Sequence, residues 1–116
     1  MKRFAKASEF VFLTFLLATG WAGLSASSAQ AKEPASTVFD AKCAMCHAKD
    51  GSGNTPMGKN MKVPDFRSKA VQSKSNADLA TIIEKGKGMM PQYGSQFSKE
   101  EINDMVAYIR KLGAKK

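Results

Sequence analysis

Two thiols three residues apart, with a histidine directly after the second, constrain this chain more than any other feature: Cys43-Ala44-Met45-Cys46-His47. These are the only two cysteines and the only histidine in 116 residues. A disulfide between Cys43 and Cys46 would close so small a loop that it would restrain the unfolded chain little. A zinc site would want a second ligand pair at comparable spacing, and there is none. A thiol–disulfide redox pair usually follows a strand in a sheet fold, yet no period-two alternation is readable anywhere in the chain. The remaining use of C-x-x-C-H is covalent attachment of c-type haem. On one helical turn, residues three apart share a face, so both thiols can meet the vinyl groups of one haem. The adjacent histidine is then delivered beneath the iron as an axial ligand.

The first thirty residues read differently from the rest. Lys2, Arg3 and Lys6 make a positive start, residues 10–17 are almost wholly apolar, and small residues follow, closing on Ala29-Gln30-Ala31. That order is a secretory signal peptide, and its apolar run is short for a membrane span. Cleavage is expected after Ala31, leaving residues 32–116 as one domain; the competing reading is an uncleaved anchor running on through Trp21 to Leu24. A domain of about 85 residues buries a modest share of its surface and often leans on a cofactor. The net charge is +8, and it stays positive without the leader. Export, and the lack of a basic stripe studded with aromatics, argue against nucleic acid as the partner.

The fold class is all-α. Ser36 or Thr37 is expected to cap a first helix that carries Val38, Phe39 and both cysteines and ends near His47. From Ala48 to Arg67, three glycines and two prolines with Asp50, Asn54 and Asn60 between them predict a loop without a regular element, long enough to wrap around something. Ser75 or Asn76 caps a second helix, with Asp78 in its first turn and Leu79, Ile82 and Ile83 on one face; Gly86 and Gly88 stop it. Ser98-Lys99-Glu100-Glu101 is a capping box, with Phe97 and Ile102 placed as its staple. Ile102, Met105, Val106, Ile109 and Leu112 then form an apolar stripe that wants a partner, and Gly113 ends the helix. The haem is expected to complete the core, packed by Phe66, Leu79, Ile82, Ile83, Phe97, Val106 and Ile109.

One histidine leaves the sixth iron position to another residue or to none. His with Met is common in haem proteins that move electrons, because the soft thioether favours ferrous iron and raises the potential. Met45 lies inside the attachment turn, Met105 on the last helix's core stripe, and Met57 and Met61 close in sequence to the histidine. Met89 and Met90 sit in a turn between helices, and Pro91 stiffens the backbone directly after Met90. Met90 is therefore the expected distal ligand, with Met89 second. The other ring nitrogen of His47 is expected to donate to a carbonyl, with that of Pro56 as candidate.

At this point the chain resembles a class I cytochrome c, small and monohaem, of the bacterial type related to photosynthetic cytochromes. The resemblance is carried by Phe39, Cys43-Ala44-Met45-Cys46-His47, Asp50-Gly51-Ser52-Gly53, Pro64-Asp65-Phe66, Ile82-Ile83 and Gly86-Lys87-Gly88-Met89-Met90-Pro91-Gln92-Tyr93-Gly94, completed by residues 97–112. It implies a cytochrome c fold of three to four short helices around one covalently bound haem, the first helix crossing the last at Phe39, Met105 and Tyr108. It also implies Met90 as distal ligand. Ala35 departs from the glycine that many members carry at the crossing, which implies a slightly wider one.

The expected function is a periplasmic carrier of single electrons, a monomer and not an enzyme, meeting redox donor and acceptor proteins. Lys42, Lys49, Lys59, Lys62, Lys85 and Lys87 flank the haem-bearing loops and are expected to form a positive rim that speeds encounter with acidic docking faces. One rival is a haem protein with a labile sixth ligand that binds a gas or reduces peroxide, for which only Glu84, Arg67 or a tyrosine could serve as a distal acid or base. Another is a haem subunit of a larger oxidoreductase complex.

Overall fold

The structure, a computed structural model, describes residues 31–115. The expected signal peptide and the alternative anchor fall outside the described residues. Six helical segments follow one another: α1 (Ala35–Lys42), α2 (Ala44–His47), α3 (Pro56–Asn60), α4 (Lys69–Gln72), α5 (Asn76–Lys85) and α6 (Lys99–Gly113). The all-α class holds, with no strand among the described residues beyond one isolated bridge between Lys87 and Met90. The expected three to four helices become six segments because three of them, α2, α3 and α4, are only about one turn long.

The expected first helix is interrupted. It begins one residue after Pro34, whose carbonyl accepts the Thr37 and Val38 N–H groups at 2.9 and 3.2 Å, and no side chain caps it. Ser36 and Thr37, expected as caps, lie inside α1. Proline's fixed φ, −57° here, places the carbonyl for a helix start without a side-chain acceptor. At Cys43 the backbone departs to φ −114° before α2 resumes. The 48–67 stretch is likewise not wholly irregular. Thr55 caps α3 by accepting the Gly58 N–H, and Pro56 stands at the first helical position, where its missing N–H costs nothing.

The two longer helices start as expected. Ser75 and Asp78 form a capping box on α5, and Ser98 and Glu101 form one on α6. Gly86 stops α5 with φ +73°. The stripe of α6 is buried along its whole length, at Ile102, Met105, Val106, Ile109 and Leu112. Across it lies α1, whose Phe39 is 1% exposed and meets the Tyr108 ring edge-on, with centroids 5.3 Å apart. Beside Ala35, a notch of about 10 Å³ opens between this end of α1 and α6, room for about one water. Lys32 pins the start of the described chain to α6 through Glu100 at 2.8 Å and through Asp104. All three side chains are solvent-exposed enough that this adds little stability. The core thus lies between α1, α5 and α6, each buried aliphatic or aromatic side chain contributing about 1.5–3 kcal/mol.

Ser98→Ala removes the α6 cap and is expected to cost about 1 kcal/mol in a urea titration. The Glu101 carboxyl is held below its ordinary range by hydrogen bonds, first from the Ser98 backbone N–H and then from its hydroxyl. A carboxylate depressed in the folded state stabilises above its unfolded pKa, and that stabilisation is lost as pH falls through the folded value. The gap between parent and Ser98→Ala should therefore be full at neutral pH and shrink below about pH 4; a gap that is constant from pH 7 to 3 would refute the box's role.

Candidate functional site

The attachment turn is sewn to the chain behind it. The Cys43 carbonyl accepts the His47 and Cys46 N–H groups at 2.9 and 3.1 Å, which keeps both thiols and the imidazole on one turn. Behind it, the Gly53 N–H donates to the His47 carbonyl at 2.8 Å. The Thr55 hydroxyl donates to the carbonyls of Met45 (2.8 Å) and Cys46 (3.3 Å) while accepting the Gly58 N–H. A Cβ on Gly58 would lie 2.3 Å from both the Cys46 and the Gly53 carbonyl oxygens, so only glycine lets α3 close against α2. The sequence does not single out Thr55 and Gly58, because Pro56 and Gly58 read as breakers. Thr before Pro, cap before first helical residue, was the available signal.

The Met90 loop is equally constrained. Lys87 and Met90 exchange backbone hydrogen bonds of 3.3 and 3.0 Å around Gly88 at φ +57°. A Cβ on Gly86 would come within 2.5 Å of the Met90 carbonyl oxygen. The Tyr93 and Gly94 N–H groups bond back to the Ile83 and Glu84 carbonyls, each at 3.0 Å. The Tyr93 hydroxyl donates to the Lys42 carbonyl at 3.3 Å, joining this loop to the end of α1.

Between the two lies a cavity of about 650 Å³ whose lining is mainly apolar. Cys43, Cys46, His47, Met89 and Met90 all line it. Met90 is half-buried and packs on the core, whereas Met89 is 74% exposed. Phe66, Leu79, Ile82, Ile83 and Ile109 line the cavity as expected. Phe97 and Val106 do not: both are buried, but they fill the core away from the cavity, Phe97 stacking on Tyr93 with centroids 5.4 Å apart. Val71, Met57 and Met61 join the lining instead. Met57 and Met61 come from the stretch expected to be loop, in and just after the single turn of α3, and Val71 comes from α4.

Burial governs the electrostatics. It pushes the Cys43 thiol up to about 11, against a smaller opposing influence from Lys42, so this thiol is protonated at neutral pH. Burial also lowers the His47 pKa, which keeps the imidazole neutral and its lone pair available for a metal. His47 Nδ1 is buried with no hydrogen-bond partner, so the expected bond to the Pro56 carbonyl is not made. Pro56 opens α3, where its carbonyl runs with the helix, and it is the Thr55 hydroxyl that bridges to the attachment turn. An apolar, haem-sized space bordered by two unpaired thiols and a neutral imidazole fits covalent haem. Of the lysines, Lys42, Lys62 and Lys87 border the cavity, joined by Lys74, while Lys49, Lys59 and Lys85 do not. Lys49 instead pairs with Asp40 at 3.1 Å.

Residues 29–109 match the family described as Cytochrome C oxidase, cbb3-type, subunit III. Cytochrome c6 of Rippkaea orientalis is 28% identical over 109 residues, covering 94% of this chain and 92% of that protein. Cbb3-type cytochrome c oxidase subunit CcoP of Azospirillum brasilense is 27% identical over 92 residues; the match takes in 78% of this chain but spans only 31% of that subunit. Among solved structures, KustC0563 c-type cytochrome superposes with a TM-score of 0.63 at 22% identity, covering 69% of this chain and 98% of that one, a likeness of fold. With the family matched over most of its length, and with thiols and imidazole bordering one apolar cavity, this chain belongs to the c-type cytochromes, electron-transfer proteins whose cofactor is covalently attached haem c.

Proposed function

We propose that the chain is an exported, monomeric single-electron carrier in which Cys43 and Cys46 would hold haem c as thioethers and His47 and Met90 would ligate its iron. The observation that carries this reading is that the attachment turn and the Met90 loop border one apolar cavity. The haem, when bound, supplies a one-electron couple. The chain's own residues bind it, orient it and exclude water. Neutral His47 offers a nitrogen donor. Met90 offers a soft thioether that favours the ferrous state, and its loop is held by backbone hydrogen bonds that leave little room to retreat. Met89, mostly in solvent, is poorly placed to compete.

The cavity rim supports a docking role. Met45, Met57 and Met89 are the exposed large hydrophobics among the described residues, and all three border this cavity together with Lys42, Lys62, Lys74 and Lys87. An apolar centre ringed by positive charge suits donor and acceptor proteins with acidic faces. Cleavage after Ala31 would release the carrier into the periplasm. Among the described residues, no helix is long and apolar enough to cross a membrane. The CcoP relative favours a second reading, a haem subunit of an oxidase; recovery of the exported protein as a free monomer rather than in a membrane complex separates the two.

The visible spectrum of the exported protein should show c-type haem bands and, when oxidised, the weak red band of methionine sulfur on ferric iron. Met90→Ala should abolish the red band, lower the reduction potential and let carbon monoxide bind the reduced protein, which the parent should not do. A mutant with the parent's potential and spectrum would remove Met90 from the site, and fast carbon monoxide binding by the parent would favour the labile-ligand rival. Electron transfer to an acidic partner should slow roughly tenfold between low and high ionic strength, and Lys87→Glu should flatten that dependence; a rate indifferent to salt would exclude the charged rim.

A further inference from the structure

We infer that Gln72 is a positioning residue for His47, acting through Phe66. The inference rests on the reading of His47 as an iron ligand. A ligating imidazole is ordinarily oriented by a hydrogen bond to its second nitrogen, but Nδ1 of His47 has no such partner. What the ring does meet is Phe66, with centroids 4.7 Å apart and planes inclined by 31°; Phe39 is farther away, at 6.5 Å. The orientation of His47 thus depends on where Phe66 is held.

Phe66 is held at both of its backbone polar groups. Its N–H donates to the Gly51 carbonyl at 2.9 Å, and its carbonyl accepts from Gln72 Nε2 at 2.6 Å. Gln72 is itself fixed by Arg110 of α6, whose Nη1 donates to both the side-chain and the backbone oxygen of Gln72 at 3.1 Å. The same guanidinium donates to the Lys74 carbonyl at 2.5 Å and to Asn76 Oδ1 at 3.0 Å. Two glycines leave the space this requires. A Cβ on Gly51 would stand 2.6 Å from the Phe66 ring, and one on Gly113 would stand 2.1 Å from Gln72 Nε2. A line of contacts therefore runs from the last helix through Arg110, Gln72 and Phe66 to the face of His47. An arginine with its planar fork engaged on four oxygens is a rigid anchor for such a line.

The test uses the haem-loaded protein and reads the hyperfine-shifted proton signals of the His47 ring in the ferric state, together with the reduction potential. Gln72→Met, which keeps the bulk and loses both polar contacts, and Gly113→Ala, which displaces Gln72, should both move the ring signals and shift the potential in the same direction. Asn76→Ala, which removes only the Arg110 Nε contact, should lower stability and leave signals and potential at the parent's values. Should Gln72→Met and Gly113→Ala fail to fold, Gln72→Glu keeps an acceptor for Arg110 while losing the donor to Phe66, and its ring signals are read in their place. A folded Gln72 variant with the parent's ring signals and potential overturns the positioning role. Ring signals that are absent from the parent itself would instead overturn His47 as ligand.

Discussion

A single helical turn carrying two thiols and an imidazole can work only if it is held from behind, because the space in front of it is a cavity of about 650 Å³. The hold is made by backbone. The Gly53 N–H on the His47 carbonyl and the Thr55 hydroxyl on the Met45 and Cys46 carbonyls satisfy the acceptors that the end of a helix leaves open. Gly58 permits the approach by having no side chain. Everything else in the site is arranged relative to that turn: Tyr93 ties the Met90 loop to the residue preceding it, and Phe66 lies against the histidine.

The molecule has a solid half and a hollow half. Phe97, Ile102, Val106 and Leu112 are buried without bordering the cavity, and on the same side Phe39 of α1 meets Tyr108 of α6. On the other side, Leu79, Ile82, Ile83, Phe66 and Val71 present apolar surface to the cavity. Leu79, Ile83, Phe66 and Val71 are already buried, so haem filling the space would add contact to a wall that is largely out of water. A small domain whose core borders such a space would use the cofactor as a structural element as well as a redox centre. The six methionines of the described residues all border this one cavity; flexible thioether side chains suit a wall that has to conform to a flat, rigid ring system.

Burial and exposure divide the work between interior and rim. Inside, desolvation disfavours charge on both His47 and Cys43, so the cavity carries little charge of its own. At the mouth, four lysines and three exposed methionines meet solvent. In the proposed docking role, charge at the rim would steer an approaching partner over about a Debye length, and the apolar centre would provide contact once the two proteins touch.

Local sequence signals were sufficient wherever a structural decision is made within a few residues. The capping boxes at Ser75 and Ser98, the stop at Gly86, the buried stripe from Ile102 to Leu112 and the Cys43–His47 signature are all of this kind, since caps, turns and helical periodicity are short-range physics. Proline constrains the residue just before it, and in the structure Met90 packs on the core while Met89 lies mostly in solvent. What only the tertiary structure decided depends on contacts between distant residues: Phe97 and Val106 filling the core away from the cavity, Lys74 replacing Lys49 at its rim, Thr55 rather than Pro56 meeting the attachment turn, and Arg110 reaching Gln72 from the last helix. Such partners are chosen by packing and by the need to satisfy buried polar groups, and the spacing of residues along a chain carries no record of either.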